Sequence, residues 1–96
     1  MFVGAVTIEL FLPESHSLKE KRKILNSILG KVRFKFNVSI AEIDHQDLWQ
    51  RSVIGIACVS ESSHQVKIIL QRVRAFVEGL NKAEIIDERT SFFSPE

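Results

Sequence analysis

Phe2-Val3-Gly4-Ala5-Val6-Thr7-Ile8-Glu9-Leu10-Phe11-Leu12, halted at Pro13 and followed by Ser17-Leu18-Lys19-Glu20, is where the hydrophobic period of the chain changes from that of a strand to that of a helix. Phe2, Gly4, Val6, Ile8, Leu10 and Leu12 alternate with Thr7 and Glu9, as in a strand with one buried face. Pro13 cannot donate to a ladder and ends it. Ser17 and Glu20 then read as a capping box: the hydroxyl is placed to accept from the Glu20 amide, and the carboxylate to reach back to the Ser17 amide. The helix that follows carries an apolar stripe of Leu18, Leu25, Ile28, Leu29, Val32 and Phe36. Its end is ambiguous, because Val32, Phe34, Phe36 and Val38 also fit a period of two, although Asn37 is a reasonable terminator.

Working outward, Val38 to His45 and Arg51 to Ser60 read as the second and third strands, joined by a hairpin loop over Gln46 to Gln50. Ser62-Ser63-His64-Gln65 is a second candidate capping box. It opens a helix whose inner stripe is Val66, Ile69, Leu70, Val73, Val77 and Leu80, ending near Gly79-Leu80-Asn81. Ala83 to Phe93 is the fourth strand. The order is β-α-β-β-α-β, and Ala41-Glu42-Ile43-Asp44 in the second strand echoes Ala83-Glu84-Ile85-Ile86-Asp87 in the fourth. This order predicts an α+β protein, a ferredoxin-like plait in which a four-stranded antiparallel sheet carries two helices on one face.

Composition agrees with one small domain spanning residues 1–96. The chain is 45% hydrophobic and 26% charged, without a linker or low-complexity tract. The apolar start contains Glu9, lacks a basic leader and is too short for a membrane span, so it is expected to be a strand and not a signal peptide, with no membrane partner. The single Cys58, set in Ile54-Gly55-Ile56-Ala57-Cys58-Val59, has no disulfide mate and reads as a small buried hydrophobe. A cytoplasmic location is expected.

Charge is unevenly distributed. Leu18 to Phe36 holds seven basic residues against one acid, a local charge of +6 in a chain whose net charge is +1. On a helical wheel Lys19, Arg22, Lys23 and Arg33 share a flank with Asn26 and Gly30. Such a ridge suits the phosphates of RNA, though a charge run also describes a solvated helix face. Phe34 falls beside Ser27 and Lys23, exposed unless the helix end turns inward. The third strand looks apolar on both sides, with Ile54, Ile56 and Cys58 on one and Val53, Ala57 and Val59 on the other. The open sheet face is therefore expected to stack on a second copy through Val53, Ala57 and Val59.

Asp44, His45, Asp47 and Trp49 make a candidate functional hairpin, with His16 a candidate to join them in space. Carboxylate and imidazole suit a divalent metal or an activated water, but the same residues are ordinary turn formers, and the expectation is no metal, no cofactor and no catalytic residue. Neither a nucleophile motif nor a Gly-rich phosphate loop is present.

Ser15-His16-Ser17-Leu18-Lys19-Glu20-Lys21-Arg22, the segment from Phe36-Asn37-Val38-Ser39 to Ala41-Glu42, and Asp44-His45-Gln46-Asp47-Leu48-Trp49-Gln50 resemble the signature of the YlxP-like family of small bacterial proteins. The resemblance covers nearly the whole chain and implies a ferredoxin-like fold. Members often sit near translation-initiation and ribosome-maturation genes, which implies RNA or a ribosomal particle as partner, and there is no family active site to carry over. The sequence therefore points to a non-enzymatic, homodimeric accessory factor binding RNA or a ribosomal particle through its first helix, with a protein-interaction module as the alternative.

Overall fold

The computed structural model describes residues 1–95. The elements run β1 (Phe2–Phe11), α1 (Leu18–Lys35), β2 (Ser39–Asp44), β3 (Arg51–Ser60), α2 (Ser63–Gly79) and β4 (Glu84–Phe93). The four strands form one antiparallel sheet in the order β2-β3-β1-β4, the plait expected from the sequence. Each β-α-β unit straddles a strand of the other, so β1 and β3 are central and β2 and β4 are edges. No helix among the described residues is long and apolar enough to cross a membrane.

Helix boundaries follow the local chemistry. Ser17 Oγ accepts from the Glu20 amide at 3.1 Å, as the capping box requires. The reciprocal bond differs by one residue: Glu20 Oε2 accepts from the His16 amide at 3.1 Å, not from Ser17. The ambiguity at the other end resolves in favour of helix through Lys35, and Phe36 leaves in an extended conformation with its amide still bonded to the Val32 carbonyl. Ser62 caps α2 through the Gln65 amide. Beyond α2 the left-handed position is taken by Asn81, at φ 56°, and not by Gly79.

Core formation follows the periodicities. Val6, Ile8 and Leu10 of β1 and Ile54, Ile56 and Cys58 of β3 point to the helices, meeting Leu25, Ile28, Leu29 and Val32 of α1 and Val66, Leu70, Val73 and Val77 of α2. Burial pushes the Cys58 thiol up from its ordinary pKa, against a smaller opposing effect of a backbone hydrogen bond at Gly4, so it is a packing residue. β4 is the exception to the two-layer scheme, for beyond Ile85 its residues are exposed. It lies outside the cover of α2 and is tied to it by the Arg74–Glu88 pair at 2.7 Å and by Lys67 over the Phe92 ring at 5.5 Å.

The echo between Ala41–Asp44 and Ala83–Asp87 has a structural counterpart. In β2 the register shifts between Glu42, opposite Ile54, and Asp44, opposite Val53, leaving Ile43 as the extra residue. In β4 it shifts between Ile85, opposite Leu10, and Asp87, opposite Glu9, leaving Ile86 extra. Both edge strands thus carry a bulge at the matching isoleucine, and a bulged edge is a poorer template for adding a foreign strand.

α2 comes close to β1 at Gly4. A Cβ built there would overlap Val66 Cγ1 and lie 2.9 Å from Leu70 Cδ1, whereas one at Gly30 meets nothing within 4 Å. Gly4→Ala should therefore cost about 1–3 kcal/mol through overpacking, and Gly30→Ala should stabilise by up to about 1 kcal/mol through helix propensity. Urea unfolding of the two variants, with opposite displacements of the midpoint, checks both.

Candidate functional site

α1 presents three faces. Its inner stripe holds not only the expected leucines, isoleucine and valine but also Lys21, which spaces with Leu25, Ile28 and Val32 at intervals of four, three and four and is 1% exposed. The sequence reading counted Lys21 only among the seven basic residues of Leu18 to Phe36 and left it out of the ridge; the structure takes it out of the surface charge altogether. The ammonium spends its three protons on Glu42 Oε2, at 2.9 Å, and on the carbonyls of His45 and Gln46. Glu42 Oε2 also accepts from Ser52 Oγ at 2.7 Å, so a buried strand serine completes the network. The signal was present in the sequence as the gap that a lysine leaves in the 18-25-28-32 stripe and as Glu42 amid the apolar residues of β2.

The outer flank is the basic ridge. Lys19, Arg22, Lys23 and Arg33 are all exposed, and none has a carboxylate within 4.0 Å among the described residues. Arg33 differs from the others. Its Nη2 donates to the Ile40 carbonyl at 2.8 Å, pinning the end of α1 to the open edge of β2 and leaving part of the guanidinium outward. The opposite flank of α1 faces α2, where Lys35 lies over the Phe76 ring at 4.7 Å and Lys82 of the α2–β4 connection reaches Ser27 Oγ at 3.4 Å.

The candidate hairpin divides into two places. His45 stands at φ 62°, a left-handed turn conformation, and its ring sits on the open side of the sheet, with Nε2 3.6 Å from Glu9 and Nδ1 3.8 Å from Asp44. Arg51 holds the same Glu9 carboxylate at 2.7 Å. Asp47 and Trp49 instead line a groove with Ser15, His16, Leu48, Gln50 and Arg51, so His16 joins these two but not Asp44 and His45. Trp49 is 56% exposed rather than packed over the sheet end. Gln50 clamps the groove by donating to the Ser15 carbonyl at 3.1 Å. No group of three or more His, Cys, Asp or Glu side chains among the described residues is placed to hold a metal ion.

On the open sheet face, Val53 and Ala57 are half-buried and Val59 is 63% exposed, as the alternation along β3 requires. They adjoin Ala5, Thr7, Ala41, Ile43 and Gly55, which line a shallow trough of small residues along the centre of the sheet.

The model of the family described as "Protein of unknown function (DUF503)" matches residues 3–90, and the chain belongs to that family. It is 46% identical over 91 residues to the "Uncharacterized protein YlxP" of Bacillus subtilis (strain 168), a match covering 95% of this chain and 99% of that protein. Two designed proteins share the fold. One with a ferredoxin fold, LFR1 1, has a TM-score of 0.57 at 11% identity over 100% of this chain and 87% of the other. The second, Foldit4, has a TM-score of 0.55 at 17% identity over 95% and 97%. These likenesses confirm the family and fold that the sequence motifs suggested.

Removing one side of the Lys21 network strands the other. Lys21→Met should cost about 3 kcal/mol, the low end for breaking a buried pair, because Glu42 retains some exposure to water. Lys21→Met combined with Glu42→Gln removes both charges and keeps an acceptor for Ser52, so it should recover a substantial part of that loss. Denaturant midpoints of the single and double variants, together with amide exchange across residues 45–50, report the result.

Proposed function

We propose that this chain acts as a non-catalytic accessory factor that binds RNA or a ribosomal particle through the outer flank of α1. The observation that carries the reading is the run of exposed cations Lys19, Arg22 and Lys23, continued by Arg33, along one flank of a helix, none with a carboxylate within 4.0 Å among the described residues. From residue 19 to residue 33 that flank is roughly 20 Å long at a rise of about 1.5 Å per residue. Glu20 and Glu78 are the acids on the helices, whereas Glu9, Glu42, Asp44, Glu84, Asp87 and Glu88 lie on strands, so the molecule is bipolar and meets a polyanion with α1 first. Phosphate contacts of this kind supply orientation and salt-dependent affinity and do not read sequence.

The open sheet face supports a second function, self-association. Ala5, Ala41 and Ala57 keep the face low enough for sheets stacked about 10 Å apart, and Val53, Val59 and Ile43, whose side chain lies over Gly55, supply apolar area. A homodimer stacked through this face leaves both helices of each copy outward.

Two measurements test these readings. Changing Lys19, Arg22 and Lys23 to Gln leaves the helix, its core stripe and the Arg33–Ile40 bond in place. It should lower affinity for RNA across sequences and make the plot of log affinity against log salt shallower by roughly 0.7 to 0.9 for each phosphate no longer neutralised. Equal slopes and affinities for two folded proteins would remove α1 as the RNA surface. Val53→Lys should shift the sedimentation of the protein toward monomer, since stacking would bury an unpaired ammonium. A parent protein that sediments as a monomer at high concentration would end the dimer proposal.

A further inference from the structure

Phe34 is 96% exposed in the last turn of α1. At about 100° per residue it lies nine residues and roughly 180° from Leu25, so no adjustment of the helix end brings it to the core. The surface beside it is a groove lined by Gly30, Lys31, Lys35 and Phe76. Gly30, one turn earlier, presents no side chain, and a Cβ there would meet nothing within 4 Å, so the approach to the ring is open. Across the groove Phe76 is held edge-on against Phe36, with ring centroids 5.6 Å apart, and Lys35 lies over it. An exposed aromatic ring, a second fixed ring and two lysines with no carboxylate partner among the described residues thus share one small surface.

Resting on the RNA reading above, we propose that this groove takes an unpaired base of single-stranded RNA, stacked on Phe34, with the adjoining phosphates met by Lys31 and Lys35. Base stacking on an exposed aromatic is sequence-tolerant, and paired cations beside the ring follow the backbone. The charge favours this occupant over a protein surface, because lysine is depleted at the centres of protein interfaces. The apolar part of this surface is also small, two rings flanked by Lys31 and Lys35, unlike the broad apolar face of a helix that lies on a membrane. A duplex does not fit, since its bases are already stacked inside the helix. The groove lies on the α2 side of the same helix and meets the ridge at Gly30 and Phe34, so a strand following Lys19 to Lys23 reaches Phe34 at the far end.

The test uses a 12-nucleotide RNA containing 2-aminopurine, offered single-stranded and as a duplex to the parent protein and to Phe34→Ala, Phe34→Leu and Phe34→Trp. Stacking predicts a loss of roughly 5- to 100-fold in single-strand affinity for the alanine variant. It also predicts a loss of 2-aminopurine quenching, retention of both by the tryptophan variant, and an unchanged salt slope and duplex affinity. A leucine variant equal to the parent, or an alanine variant that binds the single strand as tightly as the parent, overturns the proposal. If binding and its dependence on Lys19, Arg22 and Lys23 persist in that case, only the stacking groove falls. A parent protein that binds neither RNA form overturns the ridge and the groove together. Because Phe34 packs against no core residue, the variants should melt with the parent, and thermal unfolding verifies this.

Discussion

One ammonium group inside the fold, that of Lys21, sets the geometry on which the other surfaces depend. Its three hydrogen bonds reach Glu42 on β2 and two carbonyls of the β2–β3 hairpin, and Glu42 in turn accepts from Ser52 on β3. A charge placed in a core has to be neutralised and fully hydrogen-bonded or it costs several kcal/mol. Those requirements are directional, whereas leucine in the same position would only have to be covered. They fix the rotation of α1 about its axis at the first turn, and Arg33 repeats the constraint near the last turn by donating to the Ile40 carbonyl. With both ends of the helix keyed to β2, Lys19, Arg22 and Lys23 have no choice but to face outward.

The same keying explains the turn. His45 adopts φ 62°, where non-glycine residues are uncommon, while its carbonyl accepts from Lys21 and its amide donates to Asp44 Oδ1 at 2.7 Å. The main chain of His45, more than its ring, is what the fold uses. That is why an acid-His-acid hairpin which reads like a ligand cluster separates in space, with the imidazole beside Glu9 on the open sheet face and Asp47 in a groove with His16 and Trp49.

Strand and helix order were legible in the sequence because each is a matter of period and punctuation. The alternation through Phe2–Leu12, the stop at Pro13 and the caps at Ser17 and Ser62 are all local, and all six elements follow from them to within a residue or two. What was not legible depends on contacts between distant residues. Lys21 falls in the gap of the apolar stripe, but a lysine there becomes a core residue only once Glu42 is known to face it. The bulges at Ile43 and Ile86 leave a trace in the sequence as the echo of Ala41–Asp44 in Ala83–Asp87, but a register shift is a property of two strands and no single strand announces it. The environment of Phe34 depended on whether the helix ended before or after it, and the competing period of two through Val32–Val38 left that open until the helix was seen to run to Lys35.

The layered architecture keeps the two proposed surfaces apart. The helices occupy one face of the sheet and leave the other bare, so a contact through Val53, Ala57 and Val59 and one through the outer flank of α1 lie on opposite sides of a single layer of strands. In a dimer stacked on its sheets, two basic ridges would point away from each other across the thickness of two sheets and two helical layers. Such an arrangement does not enlarge one binding site. It sets two identical sites at a fixed separation, where the gain comes from effective concentration on a long RNA or a large particle and vanishes on an oligonucleotide too short to span both. The length of the polyanion, and not its sequence, is then the variable to which assembly would make the protein sensitive.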